Sequence, residues 1–100
     1  MPKLGNPKRL ATLSEVLAAL ADPLRLKIVR MLDSEDQKSC GSFEIEIPKS
    51  SLSHHFKVLR DSGIVLTHRE GKNQINSLNR GALKRQYPGL LESVLRAKST

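Results

Sequence analysis

The chain of 100 residues has a formal net charge of +7, with 38% hydrophobic and 27% charged residues. This balance is ordinary for a soluble globular protein and no low-complexity segment is present, so we expect one folded domain spanning residues 1–100. Its apolar stretches are too short to cross a bilayer, and residues 1–9 lack the apolar core of a signal peptide. We therefore expect a cytoplasmic protein without a membrane partner.

The positive charge is concentrated in the second half of the chain. Residues 1–50 contain 8 Lys and Arg against 7 Asp and Glu, whereas residues 51–100 contain 9 against 3. A fixed cationic surface attracts phosphate and releases counterions when nucleic acid binds. Nucleic acid is thus the first partner to consider. One alternative is that the charge serves only solubility. Another is binding to an anionic membrane surface, which is disfavoured because the sequence predicts no basic helix with large apolar anchors.

Two helices are predicted in the first third of the chain. Residues 7–20 carry leucines at spacings of three and four, which form one apolar face. These leucines are Leu10, Leu13, Leu17 and Leu20. A second helix should begin at Asp22-Pro23, because Asp caps free N–H groups and Pro suits the first helical turn. This helix should end near Leu32.

The middle of the chain is less regular until a third helix begins. Residues 33–42 are polar and acidic, which predicts a loop, and residues 43–47 alternate apolar and acidic side chains, as strands do. The third helix is predicted over residues 48–62, closed by Gly63. Its buried face should contain Leu52, Phe56, Val58 and Leu59.

A β-hairpin and two helices complete the chain. Strands are predicted at residues 64–67 and 75–78, joined by a polar turn at 69–74. A short helix at residues 80–87 precedes a last helix at 88–97. The apolar face of the last helix contains Leu90, Leu91, Val94 and Leu95. The fold class is mainly α with a small β-hairpin. A basic helix followed at once by a basic hairpin is typical of a winged helix-turn-helix, whose helix enters the major groove.

Two stretches resemble the ArsR/SmtB family of winged-helix repressors. Residues 18–32, AALADPLRLKIVRML, are similar to its opening signature LADPxRLxIxxxL. Residues 50–65, SSLSHHFKVLRDSGIV, are similar to its recognition-helix run SxxSxHLxxLxxxGLV. The hairpin around Gly71 resembles the family's wing, here residues 67–75. The sequence departs from the family at residues 40–47, where relatives have a short amphipathic helix.

The resemblance implies a homodimer, formed through the first and last helices, that binds an inverted-repeat operator upstream of its own operon. Candidates for base contacts are Ser50, Ser51, Ser53 and His54. Candidates for phosphate or wing contacts are Lys49, Lys57, Arg60, Arg69 and Lys72. Candidates for the dimer interface are Leu10, Leu13, Leu17, Leu91, Val94 and Leu95. Each set has an alternative role. The first two serines could serve only to cap the helix, the cations could lie on a solvated face, and the leucines could belong to the core of the monomer.

No metal or cofactor is predicted. By the resemblance, metal sensors of the family use paired cysteines before the recognition helix or carboxylate and histidine ligands on the last helix. This chain has one cysteine, and residues 80–100 contain no histidine and one carboxylate side chain, Glu92. His54 and His55 point about 100° apart on a helix and do not chelate together. We expect His55 to face the domain interior or a neighbouring helix.

Cys40 is a candidate redox-sensing thiol, with an ordinary thiol or a small buried residue as the alternative. Whether a redox or small-molecule effector acts on the protein therefore stays open.

No phosphate loop or nucleophile–base pair indicates an enzyme. The alternative function is a winged-helix interaction or dimerisation module without specific DNA binding, against which the charge argues. RNA recognition by base stacking is disfavoured, since none of the 3 aromatic residues lies in the basic wing.

Overall fold

The computed structural model describes residues 10–35, 37–39 and 46–97. Within these ranges the structure contains five helices and a small antiparallel sheet, which confirms the predicted fold class. The elements are α1 (Leu13–Leu20), α2 (Pro23–Glu35), β1 (Gln37–Ser39), α3 (Lys49–Asp61), β2 (Val65–Glu70), β3 (Asn73–Leu78), α4 (Arg80–Gln86) and α5 (Leu90–Arg96). None of the described helices has the length and apolar character needed to span a bilayer.

The first helix is shorter than the leucine spacing predicted. Residues 10–12 are not helical, and residues 7–9 lie outside the described part of the chain. The hydroxyl of Thr12 accepts a hydrogen bond from the N–H of Glu15, and the Glu15 carboxylate accepts one from the N–H of Thr12. This reciprocal capping box starts the helix at Leu13. Periodicity alone does not detect such a start, because Leu10 continues the apolar pattern.

The second helix begins where the sequence predicted and extends beyond its predicted end. Asp22 Oδ1 accepts hydrogen bonds from the N–H groups of Leu24, at 2.8 Å, and Arg25, at 3.2 Å. These groups would otherwise lack partners at the helix start. The helix continues past Leu32 to Glu35.

The cap at Asp22 should contribute pH-dependent stability. Burial raises the pKa of Asp22, but hydrogen bonds from Arg25 and Leu24 and the charge of Arg25 outweigh burial, so this pKa lies below its ordinary 3.8. Because the folded-state pKa is the lower one, the contribution is complete above about pH 4 and is lost as pH falls through the folded value. We expect Asp22→Ala to cost about 1 kcal/mol at neutral pH.

Asp22→Asn keeps a capping oxygen without the charge, so it should cost less than the alanine variant. The stability difference between Asp and Asn should shrink in acid. Urea unfolding of both variants and the wild type at neutral pH and near pH 3 measures this. A difference that stays constant with pH would show that the charge of Asp22 does not act as described.

The sheet contains one strand that the sequence did not predict. Its order is β1-β3-β2, and both pairings are antiparallel. The loop predicted at residues 33–42 is wrong for 33–35, which continue α2, and for 37–39, which form β1. The strand predicted at residues 43–47 lies partly outside the described residues, and Glu46 and Ile47 within them are not in a strand.

The hairpin strands are longer than predicted and leave a two-residue turn. They pair from Val65 opposite Leu78 to Glu70 opposite Asn73. Gly71 starts the turn with φ 63°, a left-handed conformation that glycine adopts without strain. The wing is therefore a continuous hairpin with its tip at Gly71 and Lys72.

The core lies between the helices and the base of the hairpin. Phe56 and Leu59 are 1% and 0% exposed, as predicted for the inner face of α3, with Leu52 and Val58 packed beside them. The other buried apolar residues are Leu10, Val16, Ala19, Leu20, Ile28, Val29, Leu32, Ile64, Val65, Leu78, Ala82 and Leu83. All four apolar residues predicted for the last helix are partly buried against this core.

Candidate nucleic-acid interface

Helix α3 has an exposed face directed away from the buried Phe56. Ser50, Ser53, His54 and Lys57 are exposed, and the 3.6-residue repeat places them along one side of the helix. We call these four residues, together with Asp61, the outer stripe. It combines short hydroxyls, an imidazole and one cation, which are groups that hydrogen-bond base edges and phosphates, with one carboxylate.

The remaining candidates on α3 lie beside this stripe. Lys49 and Ser51 are exposed at its N-terminal end, and Arg60 is half-buried. Pro48 is the N-cap of α3, and no side chain caps this end. The capping alternative for Ser50 and Ser51 is therefore wrong, because both lie inside the first turn.

Asp61 adds a negative charge to the outer stripe that sequence analysis did not single out. Its Oδ2 lies 2.8 Å from Nζ of Lys57, and the two side chains are 65% and 66% exposed. The i, i+4 spacing of Lys57 and Asp61 is the feature of the sequence from which this ion pair could have been predicted. An ion pair this exposed contributes little to stability, so Lys57 can exchange its partner for a phosphate at small cost.

The wing carries two exposed cations near its tip, Arg69 and Lys72. Side chains alternate along β2, so Arg69 shares a face with Thr67, whose hydroxyl donates to Oδ1 of the buried Asn76 at 2.8 Å. His68 and Glu70 lie on the other face, with Nε2 of His68 3.0 Å from Oε2 of Glu70. The candidate wing cations thus extend from a hairpin whose base is anchored in the core.

His55 faces a neighbouring helix, as expected. Its Nδ1 lies 3.1 Å from Nη1 of Arg25, on α2. Arg25 also donates from Nε to the carbonyl of Ala19 at 2.6 Å and from Nη2 to the carbonyl of Ala18 at 3.4 Å. Sequence analysis missed Arg25, because its role depends on how three helices pack and leaves no local pattern.

The predicted dimer residues differ in their exposure. Leu13 and Leu17 are 47% and 46% exposed. Leu91, Val94 and Leu95 are half-buried. Leu10 is 8% exposed, and its N–H donates to Oε1 of Gln86 at 3.2 Å. It is held in the core of its own chain and therefore drops out of the predicted interface.

Two further predictions concern metal and redox chemistry. In the part of the chain that the structure describes, no three His, Cys, Asp or Glu side chains lie close enough together to hold a metal ion. Cys40 lies outside the described residues, so its redox role stays a prediction.

Comparison with known proteins places this architecture among bacterial regulators. Residues 22–67 match the family described as "Bacterial regulatory protein, arsR family". An uncharacterized HTH-type transcriptional regulator of Bacillus subtilis, YceK, is 33% identical over 84 residues, which cover 81% of this chain and 84% of that protein. The transcriptional repressor SdpR of Bacillus subtilis is 33% identical over 73 residues, covering 72% and 81%. The structure of reduced HlyU from Vibrio cholerae is 32% identical, with a TM-score of 0.59, and covers 74% of this chain and 86% of that one.

Proposed function

Given that this chain belongs to the ArsR family of DNA-binding transcriptional regulators, we propose that it represses its own operon as a homodimer bound to an inverted-repeat operator. Residues 1–100 act as one domain. Helix α3 enters the major groove and the wing contacts the flanking backbone. The observation that carries this proposal is the outer stripe: α3 packs Phe56 and Leu59 into the core and exposes Ser50, Ser53 and His54.

Each side chain has a role set by its chemistry. Ser50, Ser51, Ser53 and His54 contact base edges, and the cations Lys49, Lys57, Arg60, Arg69 and Lys72 contact phosphates. Base contacts provide sequence specificity, whereas phosphate contacts provide affinity that falls with salt. The family is one of regulators rather than enzymes, and binding is the activity proposed here.

The dimer forms through the exposed leucines of α1 and the apolar face of α5. Leu13 and Leu17 are large apolar side chains left nearly half exposed, and a chain of this size gains stability by covering them. Leu91, Val94 and Leu95 supply the second side of the interface. A two-fold dimer makes the same contact twice. The half-sites should then lie about 34 Å apart, one turn of DNA, or a multiple of this spacing.

Fluorescence anisotropy tests the proposed function directly. The purified protein is titrated into duplex DNA from its own upstream region and into a scrambled duplex, at several salt concentrations. We expect tight binding to the upstream duplex, a steep salt dependence and two protomers per duplex. Weak and equal binding to both duplexes would favour an interaction module without specific DNA binding.

Base-reading and phosphate-contacting residues should be separable by mutation. We expect Lys72→Gln to weaken binding to the upstream and scrambled duplexes by a similar factor. It should also lower the salt slope, which is the steepness with which the logarithm of the binding constant falls with the logarithm of salt concentration, by about 1. His54→Ala should lower affinity for the upstream duplex by about tenfold and change the scrambled duplex little. Anisotropy titrations with both duplexes measure these effects.

Lys84→Gln is the matched control for charge, because Lys84 is an exposed cation on α4, outside the proposed interface. It should leave the salt slope unchanged. An equal loss of specificity in the Lys72 and His54 variants would contradict the division of roles.

A further inference from the structure

The side chain of one arginine links three helices. Arg25, half-buried near the start of α2, donates from its guanidinium to the carbonyls of Ala18 and Ala19. Both carbonyls lie in the last turn of α1, and the Ala18 carbonyl also accepts the N–H of Ala21 at 3.2 Å. The same guanidinium reaches Nδ1 of His55, on α3. The end of α1, the start of α2 and the middle of α3 are therefore held by one side chain.

The chemistry of this contact requires an uncharged His55. A guanidinium has only donors, so Nδ1 of His55 must accept, and the proton of the neutral ring then sits on Nε2. A protonated ring would direct an N–H toward another N–H and place two cations 3.1 Å apart. Protonation of His55 would therefore break the contact with Arg25.

Acidic groups around the contact are already engaged. The charges of Arg25 and His55 both lower the pKa of Asp22, whose oxygen caps the helix, so this carboxylate offsets part of the repulsion between Arg25 and a protonated His55. Glu15 of α1 and Asp61 of α3 line the cleft beside Arg25. Glu15 is hydrogen-bonded to Thr12 and Asp61 is paired with Lys57. The neighbouring ring of His54 lies 5.8 Å from that of His55, between centroids.

We propose that Arg25 is a positioning residue, which sets α3 against the end of α1 through the neutral ring of His55, and that protonation of His55 weakens operator binding. This inference rests on the proposed function, in which α3 reads DNA. His55 faces Arg25 rather than the outer stripe, so it acts on DNA only through the placement of α3. Because α1 also carries Leu13 and Leu17, the contact fixes the reading helix relative to the proposed dimer helix.

The sign of the pH effect identifies His55. The chain contains 3 histidines, and the other two, His54 on the outer stripe and His68 on the wing, are exposed. Protonation of these two adds positive charge near DNA and should strengthen binding as pH falls. Protonation of His55 should weaken it. Because the two effects change DNA affinity in opposite directions, the pH dependence of binding distinguishes them.

The decisive background is His54→Gln/His68→Gln, in which His55 is the sole histidine. Its affinity for the upstream duplex is measured by anisotropy from pH 8 to pH 5.5 at constant ionic strength, with circular dichroism to follow the fold. We expect affinity to fall about tenfold on acidification. Adding His55→Gln, which offers Arg25 an amide oxygen, should flatten the profile. Equal profiles with and without His55→Gln would overturn the inference.

Two further measurements distinguish this inference from the proposed function. Nitrogen-15 NMR of the free protein at pH 8 should show an unprotonated Nδ1 in His55, and a protonated Nδ1 would overturn the inference by itself. Arg25→Lys cannot reach α1 and α3 together and should weaken operator binding, whereas Lys27→Gln, an exposed change on the same helix, should weaken it less. A wild type that fails to bind the upstream duplex at any pH overturns both proposals.

Discussion

Leu17→Glu is expected to convert the protein into a monomer that loses its tight binding to the operator. Leu17 is 46% exposed, so a carboxylate there is solvated in the monomer and buried in the proposed dimer, where its desolvation is costly. A monomer also loses the gain from binding two linked half-sites, a factor of roughly 100 to 10,000. Light scattering after gel filtration measures the mass, and anisotropy measures the affinity for the upstream duplex.

The fold of this variant should persist, because an exposed substitution usually changes stability by less than about 0.5 kcal/mol. Ser14→Glu is the matched control. Ser14 is exposed on the same helix, one residue from Leu13, and an acidic side chain in the first helical turn is favourable. This variant should remain dimeric and bind the operator. A Leu17→Glu protein that stays dimeric would show that the interface lies elsewhere.

Local chemistry in the sequence predicted much of the fold. Asp22-Pro23 marked the start of α2, and the helix predicted at residues 48–62 is observed at Lys49–Asp61. Gly63, with φ 85°, ends it as expected. These signals involve a few neighbouring residues and do not depend on the rest of the chain. The hairpin was identified for the same reason.

Non-local pairing explains the strand that was missed. Gln37–Ser39 is polar and shows no apolar alternation, and it becomes a strand because it pairs with β3 opposite Ile75, Asn76 and Ser77. Pairing between segments so far apart in sequence leaves no local mark. The Arg25–His55 contact escaped sequence analysis for the same physical reason, since it forms only when α1, α2 and α3 pack together.

Periodicity located apolar faces without showing what covers them. The four leucines of the predicted first helix form one pattern, yet Leu10 and Leu20 are buried while Leu13 and Leu17 are nearly half exposed. Val16 and Ala19 supply part of the inward face instead. A pattern of apolar residues is the same for a face that contacts its own core and one that contacts a partner. The structure was therefore needed to separate the buried Leu10 from the exposed Leu13 and Leu17.

Phe56→Ala is expected to lower the free energy of unfolding by about 3–5 kcal/mol, a large part of the roughly 5–15 kcal/mol that holds a domain together. Phe56 is 1% exposed on the inner face of α3, and its removal leaves a cavity beside Leu59. Urea unfolding should show a lower midpoint with an unchanged slope. Phe56→Leu, which keeps much of the volume, should lose less than the alanine variant.

The contrast with His54→Ala turns this stability measurement into a test of how α3 is oriented. His54 and Phe56 are two residues apart, which on a helix directs them about 200° apart. His54→Ala should change DNA preference and leave the unfolding midpoint nearly unchanged. Phe56→Ala should do the reverse at temperatures where it remains folded, because Phe56 is buried in the core and is not among the proposed DNA-contacting residues. If both variants lost stability and specificity together, α3 could not have one face in the core and the other on DNA.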